Sequence, residues 1–153
     1  MNIFITGASS GIGYALAHEY AKRYANSNCI IGLAARRSDH LQDLADKLQN
    51  QYHITCSIYP LDVRDSLACQ LAAQDFISKF GAPNIVIASA GVSRGTLTEY
   101  RDDIPAFQAV MDINVMGMVH TFQPFIVAMK QTAAKGENAQ LVGVASVAGI
   151  RGI

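Results

Sequence analysis

Thr6-Gly7-Ala8-Ser9-Ser10-Gly11-Ile12-Gly13 stands between a short apolar run, Asn2-Ile3-Phe4-Ile5, and a stretch whose apolar residues recur at helical spacing. A strand that ends in a glycine-rich turn and feeds directly into a helix aims free backbone N–H groups beyond the strand end. The helix dipole makes that place favourable for an anion. The pyrophosphate of a dinucleotide is the natural candidate. Gly7, Ser9, Ser10, Gly11, Ile12 and Gly13 are therefore the residues expected to hold it.

Outward from this turn, strand and helix signals alternate. Residues 2–6 read as a first strand. A helix follows over about 11–25, with Ile12, Leu16, Tyr20 and Tyr24 on one face, and Asn26-Ser27-Asn28 breaks it. Residues 29–35 are apolar throughout, as in a strand covered on both faces. Ser38 is placed to cap a helix to about residue 50, with Leu41, Leu44 and Leu48 turned inward. Residues 54–59 form a third strand that Pro60-Leu61-Asp62 ends. Asp65 caps a helix to about residue 80, closed by Gly81-Ala82-Pro83. Residues 84–88 are a fourth buried strand and 90–103 a loop. A long helical stretch over about 104–132 should be kinked or divided at Pro124. After a linker-like segment, 134–139, residues 140–146 form a fifth strand. This alternation predicts an α/β, doubly wound parallel sheet.

With 153 residues the chain holds one domain with a sizeable core. Half the residues are hydrophobic (50%), which excludes a disordered chain. Twelve basic residues balance 12 acidic ones, so no electrostatic footprint for nucleic acid or an anionic membrane is present. The N-terminus lacks the pattern of a signal peptide, and no run of about 18 apolar residues suggests a membrane span. Cys29, Cys56 and Cys69 are odd in number and not in metal spacing. They read as small buried hydrophobes in a reduced, cytoplasmic compartment. His18, His40, His53 and His120 read as surface or satisfied structural histidines. Met111, Met116, Met118 and Met129 read as core filling.

The pattern T-G-x-x-x-G-x-G after the first strand resembles the short-chain dehydrogenase/reductase family. The resemblance covers residues 1–153, but only the N-terminal part of that family's Rossmann-like fold. It implies five strands in the order 3-2-1-4-5 and an incomplete NAD(P)-binding domain over 1–153. NAD-preferring relatives carry an acidic residue at the end of the second strand to hold the ribose 2′-hydroxyl. Ala35-Arg36-Arg37 stands there instead. Paired guanidinium donors suit a 2′-phosphate, so Arg36 and Arg37 imply NADP(H) rather than NAD(H). The plain alternative is a solvated charge pair, although cations at a helix start oppose its dipole. Many NADP-using relatives also place a base just before the second glycine, where this chain has Ser10.

Further segments fall in the family's order. In Leu61-Asp62-Val63, the Asp62 carboxylate would receive the adenine amino group and the Val63 backbone would lie against the ring. Asp62 could instead simply organise its turn. Ala88-Ser89-Ala90-Gly91 stands where the family shows N-N-A-G. Ser89, Ala90 and Gly91 are expected at the cofactor, but both asparagines are replaced and a hydroxyl cannot do an amide's double work. Asp112-Ile113-Asn114-Val115 resembles the segment of the catalytic asparagine, whose main chain helps hold a water in a proton relay. Asn114 read alone is a polar residue on a helix face. Val144-Ala145-Ser146-Val147-Ala148-Gly149 resembles the segment of the catalytic serine. Ser146 would donate to the substrate carbonyl oxygen as charge develops on it. Read alone, Ser146 is a strand-end serine bonded to backbone.

The family's general acid is a tyrosine with a lysine four residues on, sharing one helix face so that the ammonium lowers the phenol pKa. None of Tyr14, Tyr20, Tyr24, Tyr52, Tyr59 and Tyr100 has a lysine at that spacing. The expectation is a fragment of an NADP(H)-dependent oxidoreductase acting on a small carbonyl or alcohol, inactive by itself and homo-oligomeric when intact. The alternative is a non-catalytic dinucleotide-binding or subunit-pairing module. A Tyr-x-x-x-Lys encoded about a dozen residues after Ser146 would decide for the enzyme.

Overall fold

The computed structural model describes residues 1–147, so Ala148 and Gly149 of the serine segment lie outside the described residues. The apolar runs become one parallel sheet of β1 (Asn2–Thr6), β2 (Ile30–Ala35), β3 (Thr55–Pro60), β4 (Ile85–Ala88) and β5 (Gln140–Gly143), in the expected order β3-β2-β1-β4-β5. Helices α1 (Gly11–Arg23), α2 (Ser38–Tyr52) and α3 (Ser66–Phe80) make the first three crossovers. An interrupted helix makes the fourth, as α4 (Ile104–Met111), α5 (Gly117–Phe122) and α6 (Ile126–Ala134). Strand order reverses between β1 and β4, and loops leaving a reversal in opposite directions open a crevice.

Alternate residues of β1 feed two cores. Ile3 and Ile5 join Ile31 and Leu33 beneath Ala17 and Ala21 of α1 and Leu41, Leu44 and Leu48 of α2. Phe4 faces the other way, with its ring 5.5 Å from Phe76 and 4.9 Å from Phe125. Asp65 caps α3 as expected, its carboxylate accepting from Ala68 N at 3.0 Å.

Several local expectations are corrected. The buried stripe of α1 is Gly13, Ala17 and Ala21, one residue from the expected face. Small side chains let the helix lie close on the sheet, and Ile12 is left 59% exposed. Ser38 is the first residue of α2 rather than its cap, because Arg37 takes the extended cap conformation and its carbonyl accepts from Leu41 N. That helix runs on to Tyr52 until His53 turns left-handed at φ 54. Pro124 does mark a break, a 3₁₀ turn at Gln123–Phe125. A second break, a π turn at Asp112–Met116, was not foreseen. β5 stops at Gly143 because β4, its partner, ends at Ala88. Met111 and Met116 are exposed rather than core residues, whereas Met129 is buried. His18 is not satisfied: its Nε2 is buried with no hydrogen-bond partner among the described residues, beside the rings of Tyr14 and Tyr52. Burial holds its pKa below the usual imidazole value, with the Lys47 charge acting the same way.

Candidate functional site

A cleft of about 320 Å³ opens where β1, β2, β3 and β4 end. Its floor is the glycine turn. Gly7 adopts φ +71, and a Cβ on it would lie 2.7 Å from Ala90 N. Only glycine allows both the left-handed turn and the approach of the loop after β4. Gly13 is needed for contact alone, since its Cβ would lie 2.5 Å from Gly7 O. With α1 pressed so tightly against the turn, the helix begins at the cleft. Ser10, its N-cap residue, makes no side-chain cap bond, and the first turn holds no acidic residue. First-turn amides have no partner inside a helix. The spot thus keeps the donors and the dipole that an anion requires, with no built-in anion competing.

Arg36 and Arg37 follow β2 into the same cleft. Arg37 Nη2 donates to Ser9 Oγ at 3.1 Å and approaches Ser9 O at 3.4 Å. The guanidinium therefore lies over the glycine turn, bringing positive charge to the region where the sequence itself offers only Ser9 and Ser10. Ala35 ends β2 with no carboxylate.

Beyond β3, Asp62 lines the cleft but also has a partner. Arg64 Nε lies 3.1 Å from both carboxylate oxygens and Nη2 lies 2.6 Å from Oδ2. Arg64 N donates to Oδ1 at 3.0 Å, closing an Asx turn. The Arg64 side chain holds the Asp62 carboxyl below its usual pKa, assisted by the Arg64 amide and the Arg36 charge and opposed by partial burial. The carboxylate stays ionised and oriented, with lone pairs left to accept from a ligand. Leu61, Val63 and Ile113 make this end of the cleft apolar.

The loop after β4 is held from the long helix. Asn114 Oδ1 accepts from Val92 N and Asn114 Nδ2 donates to Val92 O, both at 2.9 Å. The π turn makes this possible. An extra residue in the turn carries Ile113 into the cleft wall while its neighbour Asn114 reaches Val92.

A family description, short chain dehydrogenase, matches residues 1–153. The chain belongs to that family. It is 36% identical over 118 residues to 11-beta-hydroxysteroid dehydrogenase A of Sesamum indicum, covering 77% of this chain and 33% of that protein. It is 31% identical over 150 residues to sulfoacetaldehyde reductase of Chromohalobacter salexigens, covering 96% and 54%. Among solved structures, an alcohol dehydrogenase from Thermococcus sibiricus complexed with 5-hydroxy-NADP superposes with a TM-score of 0.89 at 25% identity, covering 99% of this chain and 60% of that one. L-sorbose reductase from Gluconobacter frateurii, complexed with NADPH and L-sorbose, gives 0.84 at 27% identity, covering 99% and 54%. The chain spans about a third to a half of the length of these curated relatives.

Of the residues expected at a short-chain dehydrogenase cofactor site, Gly7, Ser9, Ser10, Gly11, Ile12, Arg36, Arg37, Asp62, Val63, Ser89, Ala90 and Gly91 all line the cleft. Gly13 does not; it is buried behind the turn. Asn114 stands behind Val92 rather than in the lining. Ser146 lies three residues past β5, which ends at Gly143 rather than at the serine, and it is exposed and outside the lining. Ala35, Leu61, Val92 and Ile113 also line it, outside the expected set. For Leu61 the signal was present, an apolar residue just after a strand end. Ile113 belongs to the π turn, which no spacing announces, and Val92 simply continues the loop after Gly91. Among the described residues no cluster could hold a metal, and no helix is long and apolar enough to cross a membrane.

Proposed function

We propose that the chain is the dinucleotide-binding part of an NADP(H)-dependent oxidoreductase acting between a carbonyl and an alcohol. One observation carries this reading: the glycine turn, Arg36 and Arg37 share a single cleft, and the strand end between them bears no carboxylate. The fit rests on the protein's own atoms. Gly7 and Gly13 let the loop after β4 and the start of α1 close tightly on the turn, and the uncapped first turn of α1 presents its amides at the cleft. Ser9, Arg36 and Arg37 offer charge and donors for a 2′-phosphate. Asp62 accepts from the adenine amino group while Leu61, Val63 and Ile113 cover the ring. Ser89, Ala90 and Gly91 meet the cofactor at the switch between β1 and β4. When bound, the nicotinamide supplies or takes up the hydride.

Ser146 donates to the substrate oxygen, and the main chain at Asn114 holds a water of the proton relay. The tyrosine and lysine that complete the set are not found within 1–153, so the chain alone binds cofactor without turning it over. The bound NADP-type cofactors named for the Thermococcus and Gluconobacter structures support the preference. The intact protein is cytoplasmic and homo-oligomeric in this reading, its partner covering the exposed Ile104, Met111, Val115 and Val119.

Titration of the full-length protein with NADPH and NADH tests the reading. NADPH should bind at least about tenfold more tightly, as charged hydrogen bonds to an extra phosphate imply, and Arg36→Ala with Arg37→Ala should erase the difference. Tighter binding of NADH would overturn it.

A further inference from the structure

The helical stretch that clamps Val92 also grips the opposite wall of the cleft. His120 of α5 brings Nδ1 to 2.9 Å from Val63 O. A carbonyl only accepts, so Nδ1 carries the proton and donates. Cys69 Sγ, at 3.9 Å, is a weak second donor to the same oxygen. Gly117, three residues earlier, makes the approach possible: a Cβ there would lie 2.6 Å from Val63 Cγ2. Val63 is 6% exposed and packs with Cys69 and Ile113, the latter from the π turn itself. Its carbonyl is held by His120, and its side chain fits between Ile113 and the gap left by Gly117. Asp62, just before Val63, meanwhile holds its own loop through Arg64 N and Asp65 N. The loop is thus internally ordered, and His120 joins that ordered unit to the helix. His120 itself does not line the cleft.

We propose that His120 is a positioning residue: by holding the Val63 carbonyl it fixes the wall on which the adenine ring lies, and so sets the affinity of the adenine half of the cofactor without touching it. This rests on the dinucleotide reading given above. Val63 and Ile113 pack together in the wall at one end of the cleft, and both are tied to the segment Asp112 to His120. A loop held on the helix side presents a preformed surface; a loop released there must be ordered by the ligand, which lowers affinity.

The test uses the full-length protein with His120→Ala and His120→Asn, the latter placing an amide nitrogen near the position of Nδ1. The probes are 2′,5′-ADP for the adenine half and reduced nicotinamide mononucleotide for the other. His120→Ala should weaken 2′,5′-ADP by about three- to tenfold, the range expected for one hydrogen bond, and leave the mononucleotide within about twofold. His120→Asn should recover most of the loss. In the ligand-free protein, amide exchange over 61–65 should quicken in His120→Ala and stay unchanged in β1 and β2. Unchanged affinity and exchange, or failure of His120→Asn to rescue, would overturn the proposal. Equal loss for both probes, with faster exchange throughout the sheet, would also overturn it, by showing a general loss of structure. If the unsubstituted protein binds neither 2′,5′-ADP nor NADPH, the dinucleotide reading fails and takes the proposal with it. Normal binding with unchanged exchange at 61–65 sinks the brace alone.

Discussion

Replacing Asn114 by alanine removes both bonds to Val92 and leaves the backbone of a half-buried loop residue to find water. Two neutral hydrogen bonds are together worth about 2 kcal/mol net. Alanine's better helix propensity returns about 0.6 kcal/mol. The expected loss is about 1.4 kcal/mol, roughly a factor of ten in the unfolding equilibrium. In urea, with a slope of about 2 kcal/mol per molar, the midpoint of the full-length protein should fall by about 0.7 M. Asn114→Asp separates a hydrogen-bonded clamp from packing, because its side chain has nearly the same shape. At neutral pH it sets a carboxylate oxygen against the Val92 carbonyl, where nothing can donate. That repulsion raises the new carboxyl's pKa in the folded state above its unfolded value. Stability from such a group is fully present below the unfolded pKa and is lost as pH rises through the folded one. Asn114→Asp should therefore be less stable than Asn114→Ala at neutral pH and recover on acidification, as the carboxyl regains a proton to donate. A wild-type urea midpoint for Asn114→Asp at neutral pH would refute the clamp.

Other consequences can be checked separately. Gly13→Ala meets backbone at 2.5 Å and should cost about 1–3 kcal/mol while pushing α1 off the turn and abolishing tight NADPH binding. Gly11→Ala meets open space at φ +60 and should cost about 1 kcal/mol with less effect on binding, so equal effects on NADPH titrations would contradict the packing argument. Arg64→Ala should move the Asp62 carboxyl back up toward its ordinary range, as followed by NMR titration. Because the partnered carboxyl has a lowered pKa, its stabilising contribution is present above the unfolded value and lost as pH falls through the folded one. Arg64→Ala should remove that part of the acid sensitivity, and an unchanged Asp62 titration would argue against the pair. Burial pushes Cys56 to about 12 and Cys69 to about 11, so both thiols should alkylate far more slowly in the folded protein than in urea. Labelling at unfolded rates would contradict their burial.

Those features readable in the sequence were set by local chemistry. Glycines at a strand-to-helix turn, uniformly apolar strands and an aspartate before α3 each have one good local solution, and their order fixes the sheet. What escaped depends on what lies across the fold. The π turn at Asp112–Met116 has no spacing signature, yet it brings Ile113 to the cleft and Asn114 to Val92. Arg37 reaches Ser9 because β1 and β2 are neighbours, not because the two residues are near in the chain. Reading β5 to Ser146 followed the apolar run, while pairing with a four-residue β4 ended the strand at Gly143. The apolar face expected on α1 was offset because alanine and glycine, weak signals of burial by size, are what close packing on a sheet selects.

A crystal structure of the full-length protein with NADP⁺ is the most direct check. The diphosphate should lie on the amides of Gly11 and Ile12, with the 2′-phosphate among Ser9, Arg36 and Arg37 and the adenine against Leu61, Val63 and Ile113. Density for the dinucleotide elsewhere, or a 2′-phosphate pointing away from both arginines, would contradict the account.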